Sequence, residues 1–287
     1  MIHLNSIAAG CQCSSAANPD NHICTCVLDA YTSAAPDRRL DRRTFLGVIV
    51  AGSAVAALAG TEQPSRADFL MPSVSQQKKA GQQAAQQILQ KYHEVKGERA
   101  RHFEQIGNNL VDALPQKDRT TWDYQFHVLD SKEINAFALP GGPMFMFTGL
   151  MDRVHSDDEL AAVTGHEMTH VRKQHWAKAA AKQQERSIGL GVLLGLTRAG
   201  QGWQFVAGAA NTIIGLKYSR SEEDEADAGG LQNMVDAGYD PHGMLDLFHT
   251  LQTSSGKGGG LPAFLSDHPL TSERIKKTQQ RIDALGR

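Results

Sequence analysis

Ser156-Asp157-Asp158-Glu159-Leu160-Ala161-Ala162-Val163-Thr164-Gly165-His166-Glu167-Met168-Thr169-His170 is the stretch on which the reading of this chain turns. Ser156 with Glu159 three residues on is a capping box, in which hydroxyl and carboxylate satisfy the orphan amides of a helix start. The helix then runs through Leu160 and Val163, so His166 lies well inside it. Two imidazoles four residues apart on a helix share one face and can grip one metal ion. Glu167 between them stands where it can take a proton from a metal-bound water. The segment predicts zinc-dependent hydrolysis, foremost of peptide bonds.

A catalytic zinc needs a third protein ligand and an open position. In the metzincin pattern a further His follows the second by six residues. Here position 176 is Trp and position 173 is Lys, which excludes that class. The remaining common choice is a carboxylate from a second helix. The acidic run Ser219-Arg220-Ser221-Glu222-Glu223-Asp224-Glu225-Ala226-Asp227 supplies one. Glu223 and Asp227 stand four apart on one face. Glu223 is placed to bind the metal, and Asp227 to accept a hydrogen bond from a ligand imidazole and orient it. The competing reading of this run is a solvated helix start favoured by the dipole.

The rest of the chain frames these two helices. Its 287 residues are 41% hydrophobic and 21% charged, with 27 Gly and 10 Pro, an ordinary globular balance. A net charge of −2 gives no electrostatic case for nucleic acid. Residues 73–114 carry a helical pattern through Ile88, Leu89, Tyr92, Phe103, Ile106 and Leu110, ended by Pro115. This helical part is expected to wrap the catalytic unit. Residues 122–150 switch to strand character: Tyr124, Phe126 and Val128 alternate with polar neighbours. Pro140-Gly141-Gly142 between two apolar runs predicts a hairpin. Edge strands can hold a polypeptide as an added strand, and residues 134–138, with Asn135, Ala136 and Phe137, are the candidate substrate-binding segment. The alternative is a plain core strand.

Asp240-Pro241 is expected to start a helix with Pro at its first position, Ser254 to Gly260 to form a loop, and Thr271 to Leu285 a final helix. Residues 188–216 hold two apolar patches, each shorter than the ~20 residues of a membrane span. They read as a buried helical hairpin, or as a surface for peripheral membrane contact or unfolded substrate. At the N-terminus, Arg42-Arg43-Thr44-Phe45-Leu46 and the following apolar run resemble a twin-arginine export signal, departing from the usual pattern at Asp41 and Gly47. Residues 1–67 are therefore assigned to a leader, cleaved or kept as an anchor, and residues 68–287 to the catalytic domain. The expected location is periplasmic, or membrane-associated on the outer side of the inner membrane. Cys11, Cys13, Cys24 and Cys26 look like a thiolate metal site or redox cluster, or belong to the removed leader.

Asn135-Ala136-Phe137-Ala138 with Pro140-Gly141-Gly142, His166 to His170, Ser219-Arg220 with Glu223 and Asp227, and His268-Pro269 with Arg274 together resemble the prenyl-protease/HtpX family of zinc metallopeptidases. The similarity spans about residues 75–286, and the soluble exported, BepA- and LoiP-like branch is closest in shape. The resemblance implies an α+β, mostly helical, zincin-like (gluzincin) domain with a small sheet beside the His166–His170 helix, its catalytic helices lying within 156–287. It implies one zinc ion per subunit on His166, His170 and Glu223, with Glu167 as general base. Asp227 and Arg274 would stand behind the ligands. It places His268 near the metal, either closing the open position and holding the enzyme latent or steadying the transition-state oxyanion; a surface histidine is the bland reading. The chain departs from the branch in having no room for a C-terminal tetratricopeptide array, and from the membrane members in lacking convincing spans. The implied function is an endopeptidase acting on misfolded or damaged cell-envelope proteins. The competing function is a metal-containing, chaperone-like or regulatory binding protein that rarely cuts.

Overall fold

The computed structural model describes residues 70–193, 217–254 and 262–286, all inside one compact unit, Pro64–Arg287. The predicted leader with its four cysteines and Arg42-Arg43, most of the 188–216 segment, and residues 255–260 of the predicted loop lie outside the described residues.

The 73–114 region forms α1 (Val74–Lys91) and α2 (Glu98–Asp112), separated by the short strand β1 (Glu94–Val95). Ser73 starts α1 with a full capping box: its hydroxyl accepts the Gln76 N–H, and the Gln76 side chain takes the Ser73 N–H. After α3 (Gln116–Thr121) come β2 (Gln125–Leu129), β3 (Ala136–Ala138) and β4 (Pro143–Phe147). The predicted hairpin is present: β3 and β4 pair antiparallel with Phe137 opposite Phe145. Gly141 and Gly142 turn the chain at φ of 88° and 132°, values that suit glycine alone. The sheet order is β1-β2-β4-β3, with β2 parallel to β4. β3 is therefore an edge strand.

Alternation across the pleat splits the sheet's side chains between two cores. Val128, Ala136, Met144 and Met146 join the larger core with α2 and the catalytic helix. Leu129, Phe137, Phe145 and Phe147 join a second core with α1 and Trp176. Every residue of β4 is buried, as a strand covered on both faces requires.

Beyond the sheet follow α4 (Thr148–Met151), α5 (Asp157–Arg172), α6 (His175–Leu193), α7 (Arg220–Asp236), α8 (Gly243–Ser254), α9 (Ala263–Asp267) and α10 (Ser272–Ala284). The result is the expected mostly helical α+β fold with a small sheet beside the His166–His170 helix. That helix, α5, is buried from Glu159 to Val171, both histidines included. α7 crosses it closely at Gly165 and Gly230. A Cβ on Gly230 would lie 2.8 Å from the His166 backbone nitrogen. The two glycines let α7 approach near enough for its carboxylates to reach the imidazoles of α5.

Two local expectations change. Ser156 accepts the Glu159 N–H as predicted, but no reciprocal Glu159 bond completes the box. Its carboxylate is buried and accepts from the Thr250 hydroxyl at 3.1 Å, joining α5 to α8. Pro241 does not open α8; it lies in a preceding turn closed by Gly243 N–H to Asp240 C=O, and the helix begins two residues later.

Candidate metal centre

α5 and α7 bring His166, His170 and Glu223 together, and the turn after α9 adds His268. One ligand atom from each of the four lies within 4.8 Å of all the others, and all four residues are buried. α7 can place Glu223 there because Ser219 caps it. Ser219 and Glu222 form a reciprocal capping box, so the first turn is pinned where Glu223 projects. The acidic run is thus a helix start whose Glu223 and Asp227 face inward, 2% and 1% exposed.

The hydrogen bonds assign the imidazole nitrogens. His166 Nδ1 lies 3.0 Å from Asp227 Oδ1, so it carries the proton and donates. His170 Nδ1 lies 2.9 Å from His175 Nδ1. Both Nε2 atoms then present lone pairs, 3.1 Å apart. His166 Nε2 is 3.3 Å from His268 Nδ1, and Glu223 oxygens are 3.6 Å from each Nε2. Acceptors that face one another in a dry interior call for a cation between them. Ligand atoms held ~2.0–2.1 Å from a tetrahedral ion stand about 3.3 Å apart. The four side chains could therefore hold a single tetrahedral metal ion.

Burial holds the His170 ring well below the usual imidazole range, and the neighbouring imidazoles push the same way. A ring kept neutral is the form that binds metal. Glu223 is lowered overall: burial raises it, but His268, His166 and Arg274 outweigh that. Burial raises Glu167, whose Oε2 accepts the Ala138 N–H at 2.9 Å. Its Oε1 makes no hydrogen bond and faces His268 Nε2 at 3.4 Å. The Glu167 carboxylate is thus fixed to the edge strand by one oxygen, with the other turned into the site.

Arg274 closes the back of the centre. It bonds both oxygens of Asp227, each at 2.7 Å, reaches Glu223 Oε2 at 2.8 Å, and donates to the Pro269 carbonyl at 3.1 Å. One guanidinium therefore ties α7 to the His268 turn. Of the predicted substrate segment, Ala136 and Phe137 are packed into the two cores. Asn135 is buried, with an Oδ1 that has no partner. Asn135 and Leu139 bond to β4, so the backbone groups of residues 136 and 138 turn to the edge away from β4, where Glu167 takes the Ala138 N–H. Sequence reasoning missed His175, Glu225 and Tyr218. The Tyr218 ring stacks on His170 with centroids 4.1 Å apart. The clue for His175 was a further histidine close behind the pair; Tyr218 gave none.

The profile of Peptidase family M48 matches residues 97–282. This chain belongs to that family. It is accordingly a metalloendopeptidase, in agreement with the resemblance read from the sequence. Among curated proteins it is 28% identical to mitochondrial metalloendopeptidase OMA1 of Schizosaccharomyces pombe, over 87% of this chain and 75% of that one. It is 32% identical to a putative beta-barrel assembly-enhancing protease of Vibrio cholerae, over 63% of this chain and 38% of the other. OMA1 of Arabidopsis thaliana is 36% identical over 53% of this chain and 30% of its own. The chain thus spans much of the yeast relative and about a third of the other two. No described helix is long and apolar enough to cross a membrane.

Proposed function

We propose that this chain is a zinc-dependent endopeptidase that cuts misfolded or damaged proteins of the cell envelope. The observation that carries the reading is the pair of lone-pair nitrogens of His166 and His170, 3.1 Å apart, beside a base tethered to an edge strand. His166, His170 and Glu223 would hold the ion. A bound zinc ion supplies Lewis acidity and brings the pKa of its water toward ~7. Glu167, through Oε1, takes the proton of the attacking water and returns it to the leaving amine. The Ala136 backbone and the Ala138 carbonyl, which β4 leaves unpaired, would line up the substrate as an added strand, while the Ala138 N–H stays with Glu167. The envelope assignment draws on the twin-arginine-like leader and on the printed name of the Vibrio relative. The test is metal analysis of the purified chain with a casein digestion. One equivalent of zinc, and cleavage stopped by a chelator and restored by zinc, is expected. Bound zinc without cleavage would instead favour the binding-protein reading.

His268 belongs to the same proposal as a fourth donor that closes the site at rest. Its Nδ1 lies 3.0 Å from Glu223 Oε1 and 3.3 Å from His166 Nε2, where a substrate oxygen would have to enter. A site competent in only a small fraction of molecules loses apparent activity by that fraction. His268→Ala is expected to raise casein cleavage, by about tenfold if closure is favoured by ~1.4 kcal/mol. A fall below the wild-type rate would assign His268 to the oxyanion instead.

A further inference from the structure

The two histidine ligands are supported in different ways. His166 leans directly on a carboxylate, Asp227. His170 leans on a second imidazole: its Nδ1 is 2.9 Å from His175 Nδ1, and His175 Nε2 is 3.0 Å from Glu225 Oε2. We propose that His175, backed by Glu225, is the positioning residue that fixes the tautomer and the plane of His170. The proposal rests on the metal reading above.

Each atom in this chain of contacts has one consistent role. A histidine that binds metal through Nε2 keeps its proton on Nδ1 and must donate it. The acceptor in reach is His175 Nδ1, which therefore has no proton. The proton of His175 sits on Nε2 and goes to Glu225. Polarity thus runs one way, from carboxylate through imidazole to ligand. Glu225 carries Lys173 at 2.8 Å and Lys178 at 3.8 Å, so its charge is balanced at the protein's rim. His175 itself is 0% exposed, and its Nδ1 is the atom that His170 Nδ1 faces within hydrogen-bond distance.

The backbone is shaped for this contact. α5 ends at Arg172 with Lys173 as its C-cap, and Gln174 takes φ of +55°, the left-handed form, among the described residues the one non-glycine with positive φ. Such a residue is uncommon and costs energy unless its surroundings hold it. Here the Gln174 side chain accepts from Gln77 Nε2 at 2.8 Å, and Gln77 is buried in α1. The reversed turn starts α6 at once with His175, whose ring comes back against His170 with centroids 4.8 Å apart. A continuous helix would have carried position 175 about 140° around the axis from position 170.

The test is zinc affinity of the full chain by chelator competition, with the visible spectrum of the cobalt-substituted protein and the melting temperature of the metal-free form. An asparagine amide oxygen can take the place of Nδ1, whereas a glutamine reaches the Nε2 position. His175→Asn should keep the acceptor for His170, and so keep zinc affinity within about threefold of wild type. His175→Gln and His175→Ala should lose affinity about 10- to 100-fold, the range for outer support of a ligand, with an altered cobalt spectrum. Glu225→Gln, at the rim, should lose a smaller factor with the metal-free melting temperature unchanged. Wild-type affinity and spectrum in His175→Gln would overturn the proposal, as would equal losses in His175→Asn and His175→Gln. Wild-type protein that binds neither zinc nor cobalt would overturn the metal reading itself, a result distinguishable from either.

Discussion

Glu167→Gln should leave zinc bound and abolish cleavage. The substitution is close to isosteric, and a glutamine Oε1 can still accept the Ala138 N–H that Glu167 Oε2 accepts at 2.9 Å. The side chain therefore keeps its place against β3. It loses the ability to take a proton. General-base catalysis contributes roughly 10²–10⁴-fold, and no other carboxylate on α5 faces the site. The proposed ligands His166, His170 and Glu223 are untouched, so metal content should remain that of the wild type. Stability should hold or rise slightly, because burial already disfavours the charge on Glu167. Casein cleavage and zinc content measured on the same preparation decide the matter. A variant retaining more than about one tenth of the wild-type rate would remove Glu167 from the base role.

The parts of the site that were legible in the sequence are those set by local geometry. His166 and His170 share a face because they are four apart on a helix, and the same spacing pairs Glu223 with Asp227. Ser156 and Ser219 announce their helices because a hydroxyl at a helix start accepts an orphan amide. The hairpin was legible because Pro140-Gly141-Gly142 needs backbone that glycine alone gives readily. What was not legible depends on non-local choices. The parallel pairing of β2 with β4 is a decision about strand order, and neither strand's composition encodes it. The His170–His175 contact depends on a left-handed turn at Gln174, a residue that gives no turn signal. Glu225 looked like one more solvent-facing acid in a run of four. Glu159 seemed committed to its cap and was instead drawn to Thr250 by burial.

Asp227→Asn should damage both stability and metal binding. The Asp227 side chain is fully buried, and its two oxygens accept three hydrogen bonds: His166 Nδ1 at 3.0 Å, and Arg274 Nη2 and Nε at 2.7 Å each. Burial alone would raise its pKa. The bonds from Arg274 and His166 outweigh burial and hold it at about 2. A carboxylate depressed in this way stabilises the fold above its unfolded pKa, near 4, and that contribution is lost as pH falls through about 2. Asparagine offers one acceptor oxygen and points an NH₂ at a donor. It also leaves the Arg274 cation with Glu223 as its remaining carboxylate. Breaking a buried ion pair from one side costs about 3–5 kcal/mol. For a domain of this size that is a fall in melting temperature on the order of 10 °C. The His166 proton loses its carboxylate at the same time, so zinc affinity should drop ~10–100-fold. Wild-type melting and wild-type zinc affinity together would sink the assignment. The double change Asp227→Asn with Arg274→Met separates the two effects. Removing both charges should cost less stability than the sum of the single changes, because the stranded cation is gone. Zinc affinity should stay low in the double variant, because His166 is still without the carboxylate that holds its ring.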